Sequence, residues 1–323
     1  ENPKNILIKA SNGASDYGNK IGEPVTLGYT RSFYMKKNYK SIEYVKPIMY
    51  CGGIGNILKT NIEKNKPALG MLIVRVGGPA YSIGLGGGSA SSRNQDKKNK
   101  DLDFNAVQRG DPQMENKVCR FIKFCSELEY NPIVSIHDQG SGGMGNVTKE
   151  IVEPNGAFIS LNNVKLGDKH LESNEIWNAE YQEQVSILIN PVDIKLIKEI
   201  AKRECVNIEF VGIVTNTGKI EVFNKNDKLY KVLEFNLDEV LNNIPTKQYI
   251  FSIPNKPVNT PITCDPNKLN EYLVNVINSV NVGSKRFLTN KVDRSVTGLI
   301  AQQQCVGPFH TPLSNFSITA FSM

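Results

Sequence analysis

Two short segments combine glycine-rich backbone with polar side chains that could hold a phosphate or a metal ion. The first, residues 84–92, reads Gly-Leu-Gly-Gly-Gly-Ser-Ala-Ser-Ser and follows a predicted strand. Consecutive glycines let backbone N–H groups approach an anion closely, and small hydroxyls add donors without bulk. The segment lacks the Gly-Lys-Ser/Thr of a Walker A loop and the context of a dinucleotide-binding fingerprint. Local sequence leaves two interpretations open, a phosphate cradle and a tight turn.

The second segment, residues 137–143, reads His-Asp-Gln-Gly-Ser-Gly-Gly after another predicted strand. Asp138 at the end of a buried strand suits Mg²⁺, which takes one or two carboxylates together with phosphate oxygens. The alternative is that Asp138 caps the following helix. His137 is a candidate general acid or base, and the alternative is a core histidine with one ring nitrogen hydrogen-bonded.

Three further segments carry polar side chains that either recognise a substrate or are solvated. Residues 101–112 form a polar loop before a predicted helix and include Gln108. Residues 173–183 contain the single Trp, and Glu180 and Gln182 share a face if this stretch is extended. Residues 293–298 place an acid beside a base near a predicted strand end. The order and spacing of all five segments carry more information than any one of them.

Strands and helices must position these segments, and the apolar pattern predicts both. Residues 112–128 are typical of a helix, with Asp111 as the cap and Pro112 in the first turn. The predicted elements are strand 71–76, helix 112–128, strand 132–136, strand 183–189, helix 193–203, strand 209–214, a hairpin from 218–223 and a helix around 267–280. This alternation predicts an α/β or α+β domain of about 180 residues.

The composition is typical of a soluble globular protein, since 40% of the 323 residues are hydrophobic and 22% are charged. No apolar run approaches the roughly 18–20 residues that a membrane helix needs, so we expect no membrane partner. The net charge is +6, but the densest basic run, residues 96–101, is short and flanked by acids. Nucleic-acid binding needs clustered Lys and Arg with interleaved aromatics, so we expect no nucleic-acid partner.

The cysteines and the ends of the chain suggest the setting of the protein. The six cysteines contain no Cys-x-x-Cys pair and there are three histidines, which argues against structural zinc and predicts reduced thiols in the cytoplasm. The sequence begins without an initiator Met or a signal pattern and stops inside an apolar, strand-like run. We interpret both ends as cuts in a longer polypeptide.

Taken in order, the motifs resemble the large, single-chain phosphoribosylformylglycinamidine synthases. The matching stretches cover nearly the whole chain and are residues 46–56, 77–92, 101–109, 137–143, 175–177, 293–298 and the closing 306–309. The resemblance implies two repeated modules of the aminoimidazole ribonucleotide synthetase superfamily, each with an N-type and a C-type α/β domain of mixed sheets packed with helices. It assigns residues 1–66 to the end of the first N-type domain, 67–245 to the first C-type domain, 246–285 to a linker and helix, and 286–323 to the start of the second N-type domain.

The implied chemistry is that of an ATP-dependent C–N ligase of purine biosynthesis. ATP, with Mg²⁺, phosphorylates the formamide oxygen of formylglycinamide ribonucleotide, and ammonia released from glutamine then displaces the phosphate. The implied partners are these small molecules and the remaining domains of the same chain, including a glutaminase. We expect this stretch alone to be inactive, because the resemblance implies that the other domains complete both sites.

The resemblance also assigns individual residues. Asp138 matches a magnesium-binding acid, and Asp293 matches a metal ligand of a structural nucleotide. The matching substrate contacts are Gln108, Glu180, Tyr181 and Gln182. The matching nucleotide-site residues are Ala14, Asp16, Gly18, Asn19, Gly22, Pro24, Gly86, Gly87, Gly88, Ser89, Ala90 and Ser91.

One departure from the family pattern concerns the substrate segment. Tyr181 stands in the middle of the segment, and Gln184 replaces an arginine of the family. Loss of a guanidinium would weaken contact with a phosphate or carboxylate. An alternative function is therefore a catalytically inactive module of the same superfamily that holds a nucleotide as a scaffold.

Overall fold

The computed structural model of the chain contains two compact units, Glu1–Gly55 with Lys247–Met323, and Asn56–Thr246. It describes residues 3–26, 30–31, 33–37, 39–44, 48–49, 52–83, 85, 110–228, 230–252, 261, 263–279, 281–289, 296–309, 314 and 316–320. Within these residues, no helix has both the length and the apolar character that crossing a membrane requires.

The secondary structure of the described residues alternates between strands and helices. The strands are β1 (Thr30–Arg31), β2 (Tyr34–Lys37), β3 (Lys40–Glu43), β4 (Ile48–Met49), β5 (Leu72–Gly77), β6 (Ser135–Asp138), β7 (Ala157–Ser160), β8 (Gln184–Ile189), β9 (Ile208–Val214), β10 (Lys219–Phe223), β11 (Lys231–Asn236), β12 (Ile300–Gln302) and β13 (Ile318–Thr319). The α-helices are α1 (Pro3–Ile21), α2 (Pro112–Glu127), α3 (Gly143–Val152), α4 (Ser173–Asn178), α5 (Ile194–Glu204), α6 (Leu237–Leu241), α7 (Leu269–Asn278) and α8 (Arg286–Thr289). Short 3-10 helices occur at Lys59–Asn61, Leu161–Asn163, Pro191–Asp193 and Pro266–Lys268.

The larger unit is built on one seven-stranded mixed sheet with the order β11-β10-β7-β9-β5-β8-β6. The pair β7–β10 is parallel and the other pairs are antiparallel. Successive strand residues face opposite sides of the sheet. Ile73 and Leu188 therefore join one core, with residues of α3 and α4, while Val74 and Ile187 join another, with residues of α2 and α5.

Helix α2 confirms the predicted helix and shows why it begins at its first residue. The Asp111 carboxylate accepts a hydrogen bond from the Met114 N–H at 3.1 Å, and Pro112 occupies the first turn. This arrangement satisfies one of the helix's unpaired N–H groups and places the proline where no N–H is needed. Its apolar face buries Val118, Phe121 and Cys125 against the sheet.

The predicted strand at 132–136 begins and ends later in the structure, since β6 is Ser135–Asp138. Pro132 has no N–H to donate to a neighbouring strand. The Ile133 N–H is instead bonded to the Asn131 side chain at 2.9 Å. Regular pairing with β8 therefore begins only after these two residues.

Residues 56–66 group with the larger unit rather than with the residues before them. The Asn61 side chain donates to the Ser126 carbonyl at 3.0 Å, and the Asn65 N–H donates to the Val134 carbonyl at 3.2 Å. The compact unit thus begins eleven residues before the predicted C-type domain (56 against 67), and the predicted domain boundaries themselves stay predictions.

The smaller unit combines residues from both ends of the chain. Helix α1 contacts α8, with the Lys4 ammonium 5.2 Å from the Phe287 ring centre, and the Ser317 hydroxyl donates to the Thr26 hydroxyl at 3.1 Å. The strand pairs β1–β4, β2–β3 and β12–β13 are all antiparallel. The predicted helix near 267–280 is confirmed as α7.

A buried arginine connects three neighbouring strands of the large sheet, β9, β5 and β8. Arg75 on β5 is 1% exposed and forms an ion pair with Glu209 on β9. Its Nε donates to the side-chain oxygen Oε1 of Gln184 on β8 at 2.8 Å, and its Nη2 donates to the Gly78 backbone carbonyl at 2.9 Å. The Gln184 amide also donates to the Gly78 carbonyl, at 2.8 Å. Burial raises the pKa of the Glu209 carboxyl, and the positive charge of Arg75 opposes that rise.

We predict that Arg75→Met destabilises the protein by about 3–5 kcal/mol, because Glu209 would keep a buried carboxylate without its cation. Arg120→Met is the matched control. Arg120 also pairs with a glutamate, Glu204, but its side chain is 56% exposed and Arg203 remains as a partner. The control should cost no more than about 1 kcal/mol. Urea unfolding of both variants measures the difference, and equal losses would contradict the prediction.

Candidate functional site

Asp138 lies at the end of the edge strand β6 with 86% of its side chain exposed. The capping alternative is not what the structure shows, because Gly142 is the N-cap of α3 and no side chain caps that helix. The carboxylate is therefore open to solvent at the start of a glycine loop. Such a group fits Mg²⁺, which needs one or two protein carboxylates and takes its other ligands from phosphate and water.

Asp138 is not part of a preformed metal cage. No cluster of three or more His, Cys, Asp or Glu side chains suited to a metal ion occurs in the described ranges. A single exposed carboxylate binds Mg²⁺ weakly by itself, since the ion dehydrates reluctantly. This donor set therefore fits an ion that arrives together with a nucleotide phosphate.

His137 has partners on both ring nitrogens. Its Nδ1 lies 2.8 Å from the Asp138 carbonyl oxygen, and its Nε2 pairs with the Glu150 carboxylate on α3. The side chain is 24% exposed. These contacts connect β6 to α3. They fit the alternative in which His137 is a structural residue with its ring hydrogen-bonded. A role of His137 as acid or base stays a prediction.

The glycines after Asp138 are required by close packing. Gly142 and Gly143 have φ angles of +83° and +59°, a region that disfavours residues with a Cβ. A Cβ on Gly143 would overlap the carbonyl groups of Asn178 and Ala179. The glycine loop and the end of α4 can approach each other only because this side chain is absent, so the loop brings Asp138 close to the segment that follows α4.

That segment, residues 180–184, contains both exposed and buried side chains. Glu180 is half-buried and Gln182 is exposed, whereas Tyr181 between them is 1% exposed. The Tyr181 hydroxyl donates to the Glu175 carbonyl at 3.0 Å, and burial raises its pKa. Tyr181 thus anchors the segment to the core, and its polar atom is engaged within the protein. Substrate contacts by all three residues stay predictions.

The predicted nucleotide residues of the smaller unit lie on the second half of α1 and the turn after it. The Asp16 carboxylate pairs with Lys20 at 2.6 Å, one helical turn away. The Glu23 N–H donates to the Gly18 carbonyl at 2.9 Å, and a Cβ on Gly18 would overlap the Val25 side chain. Gly18 therefore lets the chain fold back over the helix. The predicted nucleotide residues on this stretch are Ala14, Asp16, Gly18, Asn19, Gly22 and Pro24, and their role stays a prediction.

The remaining predicted site residues lie outside the described residues. They are Gly86, Gly87, Gly88, Ser89, Ala90 and Ser91 of the glycine-rich segment, Gln108 and Asp293. Their roles in nucleotide, substrate and metal binding stay predictions.

Two family models match the chain. Residues 69–225 match the C-terminal domain of AIR synthase related proteins, and residues 284–323 match the FGAR-AT PurM_N-like domain. The first match lies within the larger unit and the second within the smaller one.

Curated relatives match almost the whole chain. It is 47% identical over 330 residues to a phosphoribosylformylglycinamidine synthase of Dictyostelium discoideum, 46% over 340 residues to one of Drosophila melanogaster and 43% over 338 residues to one of Homo sapiens. The resemblance to these synthases is confirmed. The alignments cover 98–99% of this chain and 24–25% of the length of each relative.

Solved structures confirm the predicted fold class. PurLQS from Thermotoga maritima superposes with a TM-score of 0.61 at 21% identity, covering 91% of this chain and 43% of that one. PurL of the same organism complexed with FGAR gives a TM-score of 0.58 at 23% identity, covering 76% of this chain and 39% of that one. The α/β architecture of aminoimidazole ribonucleotide synthetase-like domains is thus shared with these two structures.

Sequence reasoning missed the side chain that follows Asp138. Gln139 is 4% exposed, and neither atom of its amide has a hydrogen-bond partner in the described part of the chain. An isolated glutamine in a glycine loop carries no sequence signal of burial. The pairing of its N–H with the Gln184 carbonyl, at 2.9 Å, depends on two segments 45 positions apart (184 against 139).

We predict that Gly143→Ala destabilises the larger unit by about 2 kcal/mol more than Gly218→Ala. Both glycines have similar positive φ angles, +59° and +67°, so both variants carry backbone strain of the same kind. A Cβ on Gly218 meets no atom within 4 Å, whereas one on Gly143 overlaps backbone. Urea unfolding of both variants separates the backbone strain from the Cβ overlap. Equal destabilisation would show that the loop shifts to accommodate the added Cβ.

Proposed function

We propose that the chain is part of an ATP-dependent phosphoribosylformylglycinamidine synthase. In this reaction ATP phosphorylates the formamide oxygen of formylglycinamide ribonucleotide, and ammonia from glutamine replaces the phosphate. The observation that carries the proposal is the 43–47% identity to three such synthases along nearly the whole chain. PurL structures that match the fold are complexes with ATP, ADP and FGAR, which supports the same ligands here.

Asp138 is the residue we propose for magnesium. Its exposed carboxylate would hold the ion against the nucleotide phosphates, and Mg²⁺ supplies charge neutralisation of the transferring phosphoryl group. Glu180 and Gln182 point outward from the neighbouring segment, where they could orient the nucleotide substrate. The buried Tyr181 anchors that segment to the core. Correct positioning is the main contribution a protein makes to phosphoryl transfer.

The complete reaction needs more protein than this chain. Because the chain spans about a quarter of its curated relatives, we propose that the other domains, including a glutaminase that supplies ammonia, belong to the same polypeptide. We place the protein in the cytoplasm. Within the described residues, Cys119, Cys125, Cys205, Cys264 and Cys305 form no disulfide, which suits a reducing compartment.

The alternative of an inactive scaffold rested on Gln184. In the structure this side chain is 4% exposed and its amide is engaged with Arg75 and the Gly78 carbonyl. At this position Gln184 stabilises the sheet and does not face solvent, where a phosphate would bind. The replacement of arginine by Gln184 therefore gives the scaffold alternative no support of its own.

We predict that the full-length protein forms the amidine product from ATP, formylglycinamide ribonucleotide and glutamine, whereas residues 1–323 alone do not. The isolated chain lacks the domains that would complete the sites. Product formation followed by chromatography, with ammonia in place of glutamine as a second condition, tests both statements. A full-length protein that binds ATP without forming product would support the scaffold alternative instead.

We predict that Asp138→Asn in the full-length protein lowers kcat by about 100-fold or more without changing the melting temperature. The loss follows because the metal contribution amounts to several kcal/mol and each 1.4 kcal/mol is tenfold. The side chain is exposed and caps no helix, so stability should not change. Asp238→Asn, an exposed aspartate on α6, is the control and should keep full activity. Equal activities of the two variants would exclude Asp138 as a metal ligand.

A further inference from the structure

Two neighbouring glutamines are equally buried but differ in the hydrogen bonding of their side chains. Gln139 and Gln184 are each 4% exposed, and the Gln139 N–H donates to the Gln184 carbonyl at 2.9 Å. Gln184 has both atoms of its side-chain amide hydrogen-bonded, to Arg75 and to Gly78. Gln139 has neither atom bonded within the described residues. One carboxamide thus stabilises the sheet, and the other makes no such contribution.

A buried amide without partners is unfavourable, because its hydrogen bonds to water are lost on folding and nothing replaces them. Native proteins seldom keep such a group without a reason. The Oγ atom of Ser186, on the neighbouring strand, is also buried and lacks a partner in the described part. Because His137 is opposite Ser186, these two residues lie on one face of the sheet, and Gln139 follows directly after the end of β6.

The position of Gln139 connects the two segments that the proposed function uses. It directly follows Asp138, and its backbone pairs with Gln184, two residues after the exposed Gln182. Glu183, which lies between Gln182 and Gln184, has a φ of +53°, a conformation that is unfavourable for a residue with a Cβ. A shift of Glu183 to ordinary backbone angles would relieve this strain. Such a shift at Glu183 is the movement by which the Gln139 amide would become accessible to a ligand.

The chemistry of the group limits what can pair with it. A carboxamide has one acceptor oxygen and an N–H₂ donor in one plane. A phosphate offers acceptors only, so it would leave the Gln139 oxygen without a partner. The amide groups of the nucleotide substrate offer carbonyl acceptors as well as N–H donors, so together they can bond both atoms of the Gln139 amide. We propose that Gln139 is a specificity-determining residue that binds the amide portion of the nucleotide substrate; this inference rests on the proposed synthase function.

The test compares Gln139→Met with Gln184→Met in the full-length protein. Methionine fills a similar volume without polar atoms. For Gln139→Met we expect an unchanged or raised melting temperature, a KM for formylglycinamide ribonucleotide raised by about 10- to 100-fold, and an unchanged KM for ATP. For Gln184→Met we expect a lowered melting temperature, because the Arg75 and Gly78 bonds are lost. A stability gain joined to a selective affinity loss is a result that a purely structural role would not produce.

Three results would overturn the inference. A fall in melting temperature with Gln139→Met equal to that of Gln184→Met would mean that an internal water bonds the amide and that its role is structural. Equal increases in both KM values would mean a general distortion, and an unchanged KM for the nucleotide would mean no contact. Each of these is measured against an active wild type. A wild-type protein without amidine formation would instead refute the proposed function, and this inference with it.

Discussion

The ion pair between Arg75 and Glu209 is the interaction on which the arrangement of strands β5, β8 and β9 depends. A guanidinium has five N–H donors and no acceptor, so it must be surrounded by oxygens when it is buried. Here those oxygens come from β8, from β9 and from the Gly78 carbonyl just beyond β5. Because one side chain reaches all three, the register of these strands and the exit of β5 are constrained together. A purely apolar core would pack the same strands without fixing the path of the chain after β5.

The constraint extends from the sheet to the candidate site through Gln184. This residue is paired with Gly77 across the strands, and a Cβ on Gly77 would overlap the Glu183 carbonyl oxygen. The 180–183 segment therefore passes directly over the end of β5. Tyr181 secures the same segment from the other end, through its bond to Glu175. The outward direction of Glu180 and Gln182 follows from these two inward anchors, so the geometry of the candidate site is set by buried residues that touch no substrate.

The sequence predicts the local elements well and their contacts poorly, for a physical reason. Helix α2 is predictable because its cap, its first-turn proline and its apolar face all lie within 16 residues. The hydrogen bonds of Arg75 reach residues 109 and 134 positions away, and no periodicity records such a pairing. An arginine in an apolar run is read as a solvent-exposed or edge residue. The site motifs were recognisable as a set, yet the burial of Tyr181 and Gln139 depends on which segment lies over which strand.

The two neighbouring glutamines show how one chemical group can serve stability or recognition according to its partners. Removing a satisfied amide costs folding free energy, whereas an unsatisfied amide already carries that cost in the free protein. If a substrate amide completes the bonds of Gln139, the penalty disappears in the complex, and the difference adds to the binding free energy. It also adds selectively, because a ligand with only acceptors or only donors would leave one atom unpaired. A buried, unpaired carboxamide is thus a discriminator between ligands of similar size, and its unfavourable energy in the free state is the source of that discrimination.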